Sequence, residues 1–241
     1  MTALKNNGLH INQLSFKFAH TQQPFFNTIS LSFAPGQLHF IRGRNGSGKT
    51  TLFRILQGDM QPHEQIHALY ILDGMEYQTN NSAPSTTYKH KVKQVVQQIQ
   101  TMLVPQFSVL QNLQLACLAE SPGLQKLPVL PIPSILMEFG ITPHMMIDQL
   151  SGGQRQIVAI LMILQKPTRV LLLDEPTAAL DPENADLVMR FLQSLAREQG
   201  LVIIIISHDK ELVELYAQQE YTEIVAQQDG SRLVISKKIE K

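Results

Sequence analysis

The chain predicts an α/β fold in which a mainly parallel sheet carries an N-terminal antiparallel β layer and an inserted α-helical subdomain. Three observations predict it. The early stretches "INQLSFKF" and "TISLSF" alternate apolar and polar residues, the period-two signal of strands that bury one face. The later runs "RVLLLDE" and "LVIIIISH" are short and continuously apolar, as strands buried on both faces of a parallel sheet must be. Between these two kinds of strand, Asn112 to Ala119 and Ser134 to Phe139 turn to helical spacing around the proline-bearing link "SPGLQKLPVLPIP".

At 241 residues the chain is long enough to bury a full core, and one core with an attached lobe is expected. Lysine plus arginine balance aspartate plus glutamate at 20 each, so no overall field draws the protein to nucleic acid or to an acidic membrane. The lone cysteine, Cys117, can form neither an internal disulfide nor a zinc cluster, and the N-terminus lacks the basic-then-apolar design of an export signal. A reducing cytoplasm is the expected compartment. The longest aliphatic run, Leu201 to Ile206, is far shorter than the roughly 20 residues of a membrane-spanning helix, so the chain is not expected to cross a membrane by itself.

Taken in order, "QLHFIRG" reads as a strand entering a glycine-rich loop. "KTTLFRILQGD" follows as a helix, with Leu52, Ile55 and Leu56 on one face and its end at Gly58. "LYILDGMEY" is a strand-turn-strand candidate, and "QTNNSAPSTTY" is polar and turn-rich enough to be a surface loop. "KHKVK" reads as a solvated basic face. No internal repeat is visible, and the tail after His208 is short, leaving little room for an added regulatory domain.

The loop itself carries the first chemistry. Gly43, Gly46, Gly48, Lys49 and Thr50 meet the pattern of a P-loop, whose glycines let successive backbone N–H groups turn inward around an anion. The helix starting at Lys49 offers its positive end to the same anion. Lys49 is expected to reach the β- and γ-phosphates of a nucleotide and Thr50 to coordinate Mg2+. The whole run Gly43, Arg44, Asn45, Gly46, Ser47, Gly48, Lys49, Thr50 and Thr51 is the candidate cradle, at the heart of a P-loop NTPase core. An Asn-Lys-x-Asp guanine-reading motif is absent, which disfavours GTP. "VLLLDEP" places Asp174 at a strand end to hold magnesium through water and Glu175 beside it to polarise an attacking water.

A second phosphate-seeking loop lies at "QLSGGQRQ", where Ser151 stands at a helix N-cap and is followed by two glycines. "LSGGQ" about twenty residues ahead of "LLLDEP" resembles the signature motif of ABC-type ATPases, and the resemblance spans nearly the whole chain with the motifs in the family's order. It implies ATP and Mg2+ as ligands and a head-to-tail homodimer holding two ATPs. In that arrangement the signature residues Ser151, Gly152, Gly153 and Gln154 of one subunit close over the P-loop of the other. It implies further that Asp181 in "TAALD" is a D-loop link across the dimer and that His208 in "IIISHD" touches the γ-phosphate. Phe18 of "QLSFKF" occupies the place of an aromatic that stacks on adenine, although Phe16 or Phe18 could equally be core. The glutamine that senses magnesium and the transporter is assigned to Gln98, with Gln97 second, over Gln106 of "VPQ". The implied division is a core of residues 1–98 and 161–241 with a helical signature subdomain over 99–160.

That family resemblance implies an ATP-hydrolysing subunit peripheral on the inner face of the cell membrane, driving a separate integral membrane permease. A secreted substrate-binding protein is a further possible partner. The alternative within the same superfamily is a soluble assembly factor or ATP-gated clamp. "LSGGQRQ", "LLLDEPTAALDP" and "SVLQNLQLA" are similar to ATP-binding subunits of an amino-acid-type import group, from which Pro176 departs where histidine is often found.

Overall fold

Strand pairing follows the two hydrophobic patterns directly in the computed structural model, which describes residues 8–59, 61, 64–80, 83–95, 102–118 and 135–239. The alternating segments form β1 (Leu9–Lys17) and β2 (Phe26–Phe33), paired antiparallel, with β4 (Gln65–Leu72) and β5 (Met75–Asn80) continuing the antiparallel layer outward from β1. The continuously apolar runs form β7 (Val170–Asp174) and β8 (Val202–Ile206), parallel to each other, to β3 (Gln37–Arg42) and to β6 (Val92–Val95). A C-terminal hairpin, β9 (Glu220–Ala226) and β10 (Arg232–Lys238), joins the halves into one ten-stranded sheet of order β5-β4-β1-β2-β10-β9-β3-β8-β7-β6. The junction rests on one parallel register pair between β10 and β2, Arg232 with Phe26.

The runs in β7 and β8 are unbroken because both faces are covered. Leu171, Leu173, Ile203 and Ile205 join one core cluster, packed with α5 (Gly152–Ile163) and α6 (Pro182–Gln199). Val170, Leu172, Val202, Ile204 and Ile206 join the other, with α1 (Lys49–Gln57) and the inner faces of β1, β2 and β4. α1 ends at Gly58 as the sequence predicts.

One expectation fails in an instructive way, and one element carries no sequence signal. "QTNNSAPSTTY" is not a loop throughout: β5 extends to Asn80, and a short helix, α2 (Thr86–Lys91), starts at Ser85, whose Oγ caps the Tyr88 N–H. Burial decides this. The Tyr88 ring is fully enclosed against Tyr70 and Tyr77, and its hydroxyl donates to the Leu56 carbonyl at 2.6 Å. Polar composition is overridden by one tertiary anchor. The β9–β10 hairpin carries no strong alternation and was not foreseen; its strands are mostly half-exposed, and only Ile224 is buried within the second core.

In the signature region, α3 (Val109–Leu118) and α4 (Ile135–Glu138) agree with the expected helical spacing. Asn112, fully buried, fixes the approach to α3 by accepting from the Val104 N–H and donating to the Val104 and Ser108 carbonyls. Gln97, Gln98 and the link 121–133 lie outside the described residues.

α1 is tied to the antiparallel layer by a bidentate ion pair, Arg54 to Glu64 at 2.8 and 2.6 Å, with the Glu64 side chain 6% exposed. Glu64 also accepts the Gln61 N–H at 2.8 Å. Removing one partner of a buried pair leaves the other charge uncompensated. Glu64→Ala is therefore expected to cost about 3 kcal/mol of stability in urea unfolding; a loss below about 1 kcal/mol would place this pair among the weak surface bridges.

Candidate functional site

The strand-loop-helix unit β3–α1 leaves residues 43–48 no hydrogen-bonding ladder of their own. Three of them are glycines with positive φ, Gly43 at 154°, Gly46 at 76° and Gly48 at 106°. Gly48 is required twice over, since a Cβ there would lie 2.6 Å from the Phe25 ring on a left-handed backbone. Lys49, 8% exposed, folds back over the loop, and its Nζ donates to the carbonyls of Gly43 at 2.8 Å and Arg44 at 3.2 Å. The Ser47 Oγ is buried with no hydrogen-bond partner among the described residues. Burial lowers the Lys49 pKa, and the nearby carboxylates of Glu175 and Asp174 oppose that shift.

Gly46, Gly48 and Lys49 line an open cavity of about 740 Å³ together with the ends of β7 and β8. Its walls include Phe18, Asn45, Gly46, Gly48, Lys49, Thr50, Thr51, Asp174, Glu175 and His208, so the cavity gathers most of the residues singled out in the sequence. Glu175 takes φ 50°, a sparsely populated conformation for a residue with a Cβ, and is held there by its N–H on the Ile206 carbonyl at 3.0 Å. Its Oε1 lies 3.5 Å from His208 Nε2 and lacks a hydrogen-bond partner among the described residues. Burial raises the pKa of Glu175, against the backbone N–H and ring of His208. Burial likewise raises that of Asp174, against Lys49 and His208.

Phe18 borders the cavity, whereas Phe16 is core at 1% exposure, which resolves the choice between them as to burial. Phe18 is one ring in an edge-to-face series, 5.0 Å from Phe16 and 4.9 Å from Phe25. One member of this wall, Phe25, and one residue stacked on it, Arg232, were not foreseen. Phe25 packs on Gly48, and Arg232 from β10 stacks over the Phe25 ring at 4.4 Å while its Nη2 donates to the Gly46 carbonyl at 3.2 Å. An alternation reading could have flagged Phe25; nothing local in "DGSRLV" marks Arg232, whose partner is 186 residues away.

Gly43, Arg44 and Ser47 complete the loop behind the cavity lining, whereas Ser151, Gly152, Gly153, Gln154 and Asp181 form a second cluster outside it. Ser151 caps α5: its Oγ accepts the Gln154 N–H at 3.2 Å and its N–H donates to Gln154 Oε1 at 3.0 Å, a reciprocal capping box. Gln154 Nε2 continues to the Phe139 carbonyl at 3.2 Å, tying the loop to the helical region. Gly152 and Gly153 complete the turn, and Asp181 caps α6 through the Asn184 N–H at 3.0 Å. Gln98 cannot be placed, lying outside the described residues.

A P-loop cradle beside a strand-end Asp-Glu pair and a separate serine-glycine helix start is reflected in comparisons with known proteins. Residues 26–178, more than half the chain, match the family model described as ABC transporter. The chain belongs to the ABC transporter family. As a member it is an ABC ATPase. It is 32% identical to a phosphonates import ATP-binding protein of Bdellovibrio bacteriovorus, over 92% of this chain and 85% of that one. It is also 32% identical to one of a Nostoc species, over 78% of this chain and 73% of that one. The fold of this ABC ATPase overlays that of cbiO1 from Clostridium perfringens, part of an ABC transporter complex, with a TM-score of 0.68 at 24% identity, covering 95% of this chain and 88% of that one.

The Arg232 clasp on the phosphate loop has a measurable consequence. A hydrogen bond from a charged donor is worth about 1.5–3 kcal/mol, less where solvent screens it. Arg232→Ala should accordingly weaken ATP binding about three- to tenfold in titration calorimetry, and unchanged affinity would show that the loop holds its shape without the hairpin.

Proposed function

We propose that this chain is the ATP-hydrolysing subunit of a transporter, acting as a head-to-tail homodimer around two ATP molecules and driving a separate membrane permease for import of a small solute. One observation carries the reading: the cavity is lined by Lys49, Asp174, Glu175 and His208 but not by Ser151 or Gly153, so a second copy is needed to close it. The relatives support the transport role, being named import ATP-binding proteins for phosphonates and for methionine. Among the described residues no helix is long and apolar enough to cross a membrane, which fits a subunit peripheral on its inner face. The signature subdomain, residues 99–160 beside a core of 1–98 and 161–241, would take up the permease. Exposed Met102, Phe107 and Leu115 support an apolar contact there.

In this reading the loop 43–51 cradles the phosphates with its inward N–H groups, and Lys49 leaves the Gly43 and Arg44 carbonyls to meet the β- and γ-phosphates. The orphan Ser47 hydroxyl is a donor suited to a phosphate oxygen. Phe18 stacks on adenine. Glu175 accepts the proton of the attacking water, and His208, beside it, contacts the γ-phosphate. Among the described residues no group of three or more His, Cys, Asp or Glu could hold a metal alone. Magnesium would instead be held by the Thr50 hydroxyl, Asp174 through water, Gln98 and the phosphates, and when bound it neutralises charge on the phosphate oxygens. The partner's signature loop and Asp181 would complete each site, so catalysis is chiefly positioning and charge stabilisation.

Glu175→Gln removes the base while keeping the shape. Turnover is expected to fall by roughly 10²-fold or more, with the ATP-bound dimer trapped in sedimentation; a variant hydrolysing ATP at the parent rate would overturn the role of Glu175. A second outcome concerns pH. Glu175 must be ionised to accept a proton, and burial raises its pKa, so activity should be lost as pH falls through a midpoint above that of an ordinary glutamate. An acid limb at the ordinary carboxylate position would contradict this. Transport itself is tested by cross-linking the chain in native membranes: capture of a multi-span protein is expected, and its absence would favour a soluble assembly role.

A further inference from the structure

The donors of the signature loop are already occupied, and by a residue to which no role has been assigned. Asn184 Oδ1 accepts the Ser151 hydroxyl at 2.8 Å and the Gly153 N–H at 3.1 Å. The same side chain donates through Nδ2 to Asp181 Oδ2 at 2.7 Å, while its backbone N–H donates to Asp181 Oδ1 at 3.0 Å. The approach is so close that a Cβ on residue 153 would lie 2.8 Å from Asn184 Oδ1 and 3.0 Å from the Asn184 carbonyl oxygen. A side chain at 153 would therefore push the Asn184 amide aside within one subunit, before any second subunit is considered.

One partially negative oxygen thus rests at the start of α5, on a hydroxyl and an N–H aligned with the helix dipole. Ser151 has one O–H and Gly153 one N–H, so neither can serve Asn184 and a phosphate oxygen at full strength together. We propose that Asn184 is a positioning residue whose amide oxygen stands in for a γ-phosphate oxygen at the signature loop, and that phosphate arriving on a partner subunit must displace it. The inference rests on the reading that Ser151 and Gly153 take phosphate from a second copy. Until then Asn184 keeps both donors satisfied and the loop in shape. Once displaced, its Nδ2 no longer shares a fixed geometry with Asp181, so phosphate capture is transmitted to the residue that links the two subunits.

A placeholder and a structural brace predict opposite signs. In a Glu175→Gln background with ATP and magnesium, dimer fraction is measured against subunit concentration by sedimentation velocity. Asn184→Ala removes the competitor and should move the midpoint to a concentration lower by about tenfold, the worth of one or two released hydrogen bonds. Asn184→Asp keeps the shape but puts a carboxylate beside Asp181 and against the incoming phosphate, so its midpoint should rise. It also provides the decisive arm if the alanine variant does not fold. An alanine variant that dimerises at the same or a higher concentration, or an aspartate variant that dimerises more readily, overturns the placeholder. A Glu175→Gln parent that binds ATP yet never dimerises overturns both this inference and the dimeric reading beneath it; a parent that dimerises normally confines any failure to Asn184.

Discussion

The phosphate-loop part of the candidate site is arranged around the grip of Lys49 on the carbonyls of Gly43 and Arg44. A buried ammonium must find oxygen partners, and it finds them in its own loop. That grip folds the side chain back over the loop, where the carboxylates of Asp174 and Glu175, at the end of β7, act on it electrostatically. The parallel order β3–β8–β7 is what brings these groups together, because it places the ends of three strands side by side.

Self-satisfaction recurs at the second loop. There the donors of Ser151 and Gly153 are met by Asn184, as the Lys49 cation is met by backbone oxygens. Lys49, Ser151 and Gly153 are therefore paired internally, and a phosphate that meets them must exchange partners. Ser47 and Glu175 are the exceptions: the Ser47 Oγ is buried without a hydrogen-bond partner among the described residues, and Glu175 Oε1 is likewise unpartnered in a strained backbone conformation, its carboxyl biased by burial toward holding a proton. The carboxylate assigned to the chemical step is thus among the groups left unquenched.

What could be read from the sequence follows the reach of each signal. β7 and β8 were legible because burial on both faces leaves no polar interruption, and the loop 43–51 because its backbone demands glycine at particular places. The α2 helix was not, since the force that orders it is the enclosure of Tyr88 by Tyr70 and Tyr77, a contact between distant segments. The hairpin β9–β10 was missed because its strands are half-exposed and carry weak alternation. Asn184 was missed for a different reason: in sequence it is an ordinary first-turn residue of α6, and its meaning comes only from the approach of Gly153.

The hairpin changes which part of the chain is dispensable. Arg232 provides the pair that joins the antiparallel layer to the rest of the sheet, stacks on Phe25 and holds the Gly46 carbonyl. A chain cut just ahead of it would keep all the nucleotide-handling motifs intact and still surrender the splint behind its phosphate cradle. The last stretch, bare of recognisable signatures, thus reaches back to brace a motif found nearly two hundred residues earlier.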